Sequence, residues 1–165
     1  MKNLRTLCAL LALPLMGCPY PDDGPEPAGS SYTPVTMHRD AFEASVGLQP
    51  VTNITTSGKI YVKDHLLFIN EVNSGFHVFD NSDPKNPIAT KFASIPGATD
   101  MAIRDNIIYV NQATDLIAIR FDLGNDKAHI TKRIRNVFPE MPSPDGYYAY
   151  NIPANHVVVN WTLKK

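Results

Sequence analysis

Apolar residues in this chain come in short runs set between clusters of Asp, Asn, Gly, Lys and Pro. Leu66-Leu67-Phe68-Ile69 and Phe76-His77-Val78-Phe79 are the clearest early runs, and Ile107-Ile108-Tyr109-Val110 and Leu116-Ile117-Ala118-Ile119 follow. The runs are rich in β-branched and aromatic residues, and none keeps a 3.6-residue period over a helical length, so they read as strands. Lys63-Asp64-His65, Asn73-Ser74-Gly75 and the stretch from Asn81 to Pro87 supply the turns between them. The pattern predicts strands near 59–62, 66–71, 76–80 and 88–95, and again near 100–103, 107–112, 116–121 and 130–137. Residues 66–69 and 107–110 are apolar without alternation, which predicts burial on both faces, as in sheets stacked face to face.

The two sets of strands are copies. Val62 to Glu71 reads VKDHLLFINE, and Ile103 to Gln112 reads IRDNIIYVNQ, a match in type at every position. Asp64 aligns with Asp105 and Asn70 with Asn111. After a one-residue slip, Phe76 to Phe79 aligns with Leu116 to Ile119, and Ile95-Pro96 later parallels Val137 and Pro139. Self-similarity at a period of roughly 40 residues, with four strands per period, is the mark of a propeller blade. The expected organisation is a first unit over 58–97, a second over 98–139 and a partial third over 140–165. Tyr147 to Tyr150 and Val157 to Val159 are the expected strands of the third unit, with Trp161 where a strand meets a loop. Propellers have about four blades or more, so the expected fold is all-β with propeller-like four-stranded repeat units, incomplete or truncated. A lead-in segment, 35–57, precedes the repeat. Asp40 with Glu43 three residues on suggests a capped short helix reaching about Val46, which Gln49-Pro50 ends.

The N-terminus changes the picture of location. Lys2 and Arg5 precede the apolar stretch Leu7 to Leu15, a secretory leader too short to span a bilayer. Leu15-Met16-Gly17-Cys18 resembles the lipobox of bacterial lipoproteins, although Met16 is bulkier than the usual residue there. In that family the leader, here 1–17, is cleaved and the cysteine is lipidated, so Cys18 is the expected lipidation site and the outer membrane the expected location. The competing reading is an ordinary signal peptide with an incidental cysteine. Residues 18–34 are rich in Pro, Gly, Ser and acid and read as a disordered tether. Asp22 and Asp23 resemble the acidic export signal of some surface lipoproteins, so either the periplasmic face or the cell surface is open.

Composition adds exclusions. Fifteen Lys and Arg stand against sixteen Asp and Glu, which is not the basic balance of a nucleic-acid binder. Cys8 and Cys18 are the only cysteines, so the body of the chain has neither a disulfide framework nor a thiolate metal site.

The blocks Leu67 to Glu71, Gly75 to Pro87 and Ile95-Pro96-Gly97 resemble the LVIVD-repeat, β-propeller-like bacterial lipoproteins, from about Met37 to Trp161. Phe76 to Asp80 is the element most like the family's name. Arg120 to Gly124 replaces the Asp-Pro turn in the second unit. The resemblance implies the fold and the lipid anchor; it implies no activity.

Candidate chemistry is sparse. His38, His65, His77, His129 and His156 show no zinc-site spacing and are expected at the surface or at strand edges. Asp80-Asn81-Ser82-Asp83 could offer oxygens to calcium, but these residues are also ordinary turn formers, and the turn is the favoured reading. Asp64 and Asp105 occupy equivalent turns, whereas a catalytic carboxylate pair needs two unlike environments. Gly75 and Gly97 are read as turn residues. No nucleophile elbow, phosphate loop or zincin motif is present. Tyr147, Tyr148, Tyr150 and Trp161 form the densest aromatic cluster, expected mainly in the core, with a surface platform for sugars or proteins as the other reading. The expectation is a non-enzymatic, membrane-anchored scaffold with a protein or glycan partner, without nucleic acid, cofactor, metal or catalytic residues. The alternative is an enzyme or enzyme subunit acting on extracellular glycans.

Overall fold

The structure, a computed structural model, describes residues 29–165. The leader, Cys18 and the acidic pair Asp22 and Asp23 lie outside the described residues. In chain order the elements are β1 (Tyr32–His38), α1 (Arg39–Ala44), β2 (Gly47–Gln49), β3 (Ser57–Lys63), β4 (Leu66–Glu71), β5 (Gly75–Asp80), β6 (Ile88–Ser94), β7 (Ala98–Arg104), β8 (Ile107–Gln112), β9 (Asp115–Asp122), β10 (Lys127–Ile134) and β11 (His156–Leu163). The fold is all-β. Its sheets are antiparallel, ordered β2-β6-β5-β4-β3, β10-β9-β8-β7 and β1-β11, and none is closed.

The two repeat units fold as successive meanders because their turn residues accept the required backbone. Asp64 and Asp105 both have φ 53°, and each opens a two-residue hairpin loop, between paired Lys63 and Leu66 and between Arg104 and Ile107. Asp tolerates this left-handed region through local side-chain bonding. Gly75, at φ 146°, is required for a second reason: a Cβ there would lie 2.0 Å from the Ala93 carbonyl oxygen. The first unit has five strands rather than the expected four, since Gly47–Gln49 pairs along the outer edge on β6.

The main core lies between the units. Phe68, Phe76, Val78 and Ile95 of the first meet Met101, Ile108, Val110, Ile117 and Ile119 of the second. Each such side chain taken fully from water contributes about 1.5–3 kcal/mol. Burial on both faces, expected for residues 66–69, is corrected. Phe68 is buried, whereas Leu67 and Ile69 are half-buried and the neighbouring Ile60 and Val62 are 62% and 61% exposed. The second unit covers one face of the first sheet, and no strand of the described residues covers the other.

Two expectations at the ends are also corrected. Strand β1 starts at Tyr32, inside the stretch 18–34 expected as tether, and it pairs along its whole length with β11. The third unit is thus built from both ends of the described chain. Tyr147 to Tyr150 is loop rather than strand. The short helix forms, but His38 caps it in place of Asp40, its Nδ1 accepting the Asp40 N–H at 3.4 Å. Phe42, on α1, anchors a second small core with Ala113, Val157 and Val159.

Candidate functional site

Four places concentrate chemistry: a cleft between the units, a groove at the loop before β11, and two buried polar clusters.

The cleft sits where the two equivalent hairpin turns meet. Leu66, Phe68, Ile103 and Ile108 line it with apolar surface, and Asp64, His65, Asp105 and Arg120 supply polar groups. Its volume is about 260 Å³, under the range of roughly 300–1,000 Å³ typical of small-molecule sites. Beyond it along the strands, Tyr61 stacks edge-on against Phe76, and its hydroxyl and Lys59 both bond the Asp100 carboxylate. Burial, with the bond to Asp100 second, pushes Tyr61 up to about 12. Lys59 and Tyr61 hold Asp100 below its ordinary value. This trio ties the units together.

The groove, about 290 Å³, is lined by Tyr32, Pro34, Tyr147, Tyr148, Tyr150, Trp161 and Lys164. Against the expectation of a core cluster, Tyr147, Tyr148 and Tyr150 are 36%, 53% and 81% exposed, while Trp161 is 9% exposed. The reason is local: residues 147–150 leave the sheet and run as a loop, whereas Trp161 stays on β11. That loop is held firmly. The Tyr147 N–H donates to Ser143 Oγ at 2.8 Å, and the Ser143 N–H donates to the Tyr147 carbonyl at 2.8 Å. Asp145 accepts from Ser143 Oγ at 2.6 Å, Ser30 Oγ at 2.8 Å and the Ser31 N–H at 2.7 Å. Those bonds, the one from Ser143 foremost, hold its carboxyl below the ordinary value. The Trp161 indole N–H donates to the Met141 carbonyl at 3.1 Å, so its polar atom is satisfied and the groove offers ring surface on a braced frame.

The first polar cluster corrects the expectation for His77. It is 2% exposed, not at the surface. Its Nε2 lies 3.0 Å from the Glu71 carboxylate, and its ring lies 4.9 Å from that of Phe92. Glu71 also accepts the Thr55 hydroxyl and the N–H groups of Thr55 at 3.0 Å and Thr56 at 2.6 Å. Burial pushes its carboxyl up, but these bonds from Thr55, His77 and Thr56 outweigh it and bring the value down to about 2. A histidine beside a carboxylate is the skeleton of a general base. Here both groups are sealed from solvent, and the carboxylate is spent on pinning the loop before β3.

The second cluster centres on Asp115, which is fully buried. Arg39 of α1 and Arg133 of β10 donate to its Oδ2 at 2.7 and 2.8 Å, and the Asn136 N–H donates to Oδ1 at 3.2 Å. Burial opposes its charge, but Arg133 and Arg39 overcome this and hold the carboxyl below its ordinary value. Both guanidinium groups lie over the Phe42 ring, at 5.3 and 5.5 Å. The cluster clamps α1 to the second unit.

The remaining expected residues stay apart. Asp80 Oδ1 accepts from the Ser82 N–H and hydroxyl, and Asp83 Oδ1 accepts the Lys85 N–H at 3.0 Å, so this turn uses its own oxygens. Asp64 and Asp105 both line the cleft as turn residues. His38 and His156 come together, ring centroids 5.5 Å apart, through the pairing of β1 with β11. Among the described residues no group of three or more His, Cys, Asp or Glu is placed to hold a metal. No described helix is long and apolar enough to cross a membrane. Sequence reasoning missed Arg39, Asp115 and Arg133, and Glu71 with Thr55. The one available signal was that Glu71 and Asp115 are carboxylates at strand ends inside otherwise apolar blocks. No family model matches the chain, and no curated protein or solved structure matches it.

Proposed function

We propose that this chain is a non-enzymatic, lipid-anchored protein of the bacterial outer membrane, a propeller-like β-repeat scaffold that binds a macromolecule through the Tyr147–Tyr150 groove. The observation that carries the reading is the exposure of three tyrosines on a loop braced by Ser143 and Asp145. Exposed rings on a braced loop offer apolar faces and hydroxyls together, the combination that stacks on sugar rings and fills protein hot spots. A glycan chain is the ligand class this surface suits best. The burial of the Glu71–His77 pair supports a binding role over a catalytic one. The lipobox-like Leu15 to Cys18 and the proline-rich stretch after it support the anchor, and the LVIVD-like blocks support the propeller reading.

The test is affinity electrophoresis of the full chain through gels containing bacterial and host polysaccharides. Retardation lost in Tyr148→Ala and Tyr150→Ala supports the proposal, and equal migration of both variants and wild type refutes it. Release of new reducing ends from a retained polysaccharide would favour the glycan-acting enzyme instead. For the anchor, Cys18→Ala should leave the membrane fraction, and surface proteolysis of intact cells separates the two membrane faces.

A further inference from the structure

The interface between the two units is heterologous: each unit contributes a different face. The first unit uses Phe68, Phe76 and Val78, and the second uses Ile108, Val110, Ile117 and Ile119. Translating these positions along the repeat gives the two faces that point away from the interface. The equivalents of Ile108, Val110, Ile117 and Ile119 in the first unit are Leu67, Ile69, His77 and Phe79; His77 is buried, the other three are half-buried, and the exposed Ile60 and Val62 flank them on the same face. The equivalents of Phe68, Phe76 and Val78 in the second unit are Tyr109, 38% exposed, Leu116, half-buried, and Ala118, buried. Each open face is therefore the counterpart of one side of an interface the molecule already makes.

Charge follows the same translation. Lys91 crosses between units to Asp126 at 2.7 Å. Lys91 pairs with Val78 in its sheet and Lys132 with Ala118, so Lys132 is its equivalent in the second unit, and it is exposed. The turn equivalent to that of Asp126 is the β5–β6 turn, which carries the exposed Asp83. An open end with an exposed cation thus matches an open end with an exposed carboxylate, whose Oδ1 also accepts the Lys85 N–H of its own turn.

We infer that the open face of the second unit, around Tyr109, Leu116 and Lys132, docks on the open face of the first unit, around Val62, Leu67 and Phe79, in a second copy of this chain. Such a head-to-tail contact uses unlike surfaces, so two copies close a ring if the rotation allows and otherwise form a longer stack. It leaves the tyrosine groove available and is independent of what binds there.

Sedimentation velocity of the full chain in density-matched detergent, across a concentration series, tests this. Wild type self-associates. Val62→Asp and Tyr109→Lys, both at exposed positions and so expected to keep the wild-type thermal midpoint, each weaken association at least tenfold. An equimolar mixture of the two variants recovers a dimer, because each supplies the intact face that the other lacks. A monomer at all concentrations overturns the inference. So does a mixture that stays monomeric, or a variant pair of which only one member has an effect, since a contact between like faces would behave in that way.

Discussion

Glu71 offers the most demanding test of the energetics. Its carboxylate, 7% exposed, is held by the Thr55 hydroxyl, two backbone N–H groups and His77. The folded carboxyl titrates at about 2 against an ordinary value of 4.5, a difference equivalent to about 3 kcal/mol. The folded form is the stronger acid, so the unfolded chain takes up the proton first as pH falls. The contribution is full above the unfolded value near 4.5 and is lost as pH drops through the folded value near 2. By pH 3, about 2 kcal/mol of it has gone. Glu71→Gln removes the charge and turns an amide toward N–H donors, so it should cost about 2–4 kcal/mol at pH 7. Urea unfolding followed by circular dichroism, run on both proteins from pH 7 to pH 3, isolates the effect: other carboxylates titrate in both chains and cancel in the difference. The gap should be constant above about pH 5.5 and shrink by about 2 kcal/mol at pH 3. A gap under about 1 kcal/mol at pH 7, or one unchanged at pH 3, would refute the account of Glu71 as a charged latch.

Other outcomes follow from single sites. Asp115→Asn leaves the half-buried Arg133 without its counter-charge and Arg39 with Glu43 at 3.8 Å in its place, and should destabilise by about 3–5 kcal/mol in the same assay; a loss under about 1 kcal/mol would contradict the clamp. Gly75→Ala drives a Cβ into the Ala93 carbonyl and should cost at least about 2 kcal/mol, measured as a fall in the urea midpoint. Spectrophotometric titration should find one of the seven tyrosines lagging to about 12, and Tyr61→Phe should abolish that last step while leaving the others. Tyr148→Ala should change stability by less than about 0.5 kcal/mol, so loss of glycan retention in that variant reports binding alone.

Some of this was legible in residue order. The match of Val62–Glu71 to Ile103–Gln112 places two hairpins of the same geometry, and the structure has Asp64 and Asp105 at the same φ. Strands β4 and β8 span the expected residues, because short apolar runs closed by turn formers are decided within a few residues of themselves. The candidate site was far less legible. The tyrosines read as core, and His77 read as surface. Both readings failed for one reason: local pattern states which residues are apolar or polar, whereas burial depends on what distant segment arrives to cover them. His77 is buried against Glu71, itself held by the distant Thr55 loop, and against Phe92 of the next strand, and Tyr148 is exposed because its segment leaves the sheet.

The division runs along sequence separation. Repeat length, the strands of the two repeat units and the hairpin turns at Asp64 and Asp105 were determined by neighbours close in the chain, through sterics and turn chemistry. The antiparallel union of β1 with β11, the Arg39–Asp115 clamp and the meeting of His38 with His156 join residues 76 or more positions apart. No local pattern encodes such partners, since any exposed strand edge can pair with any other that reaches it. Packing of the whole chain selects among them, and so only the tertiary structure shows how β1 and β11 meet and which two sheet faces no strand of the described residues covers.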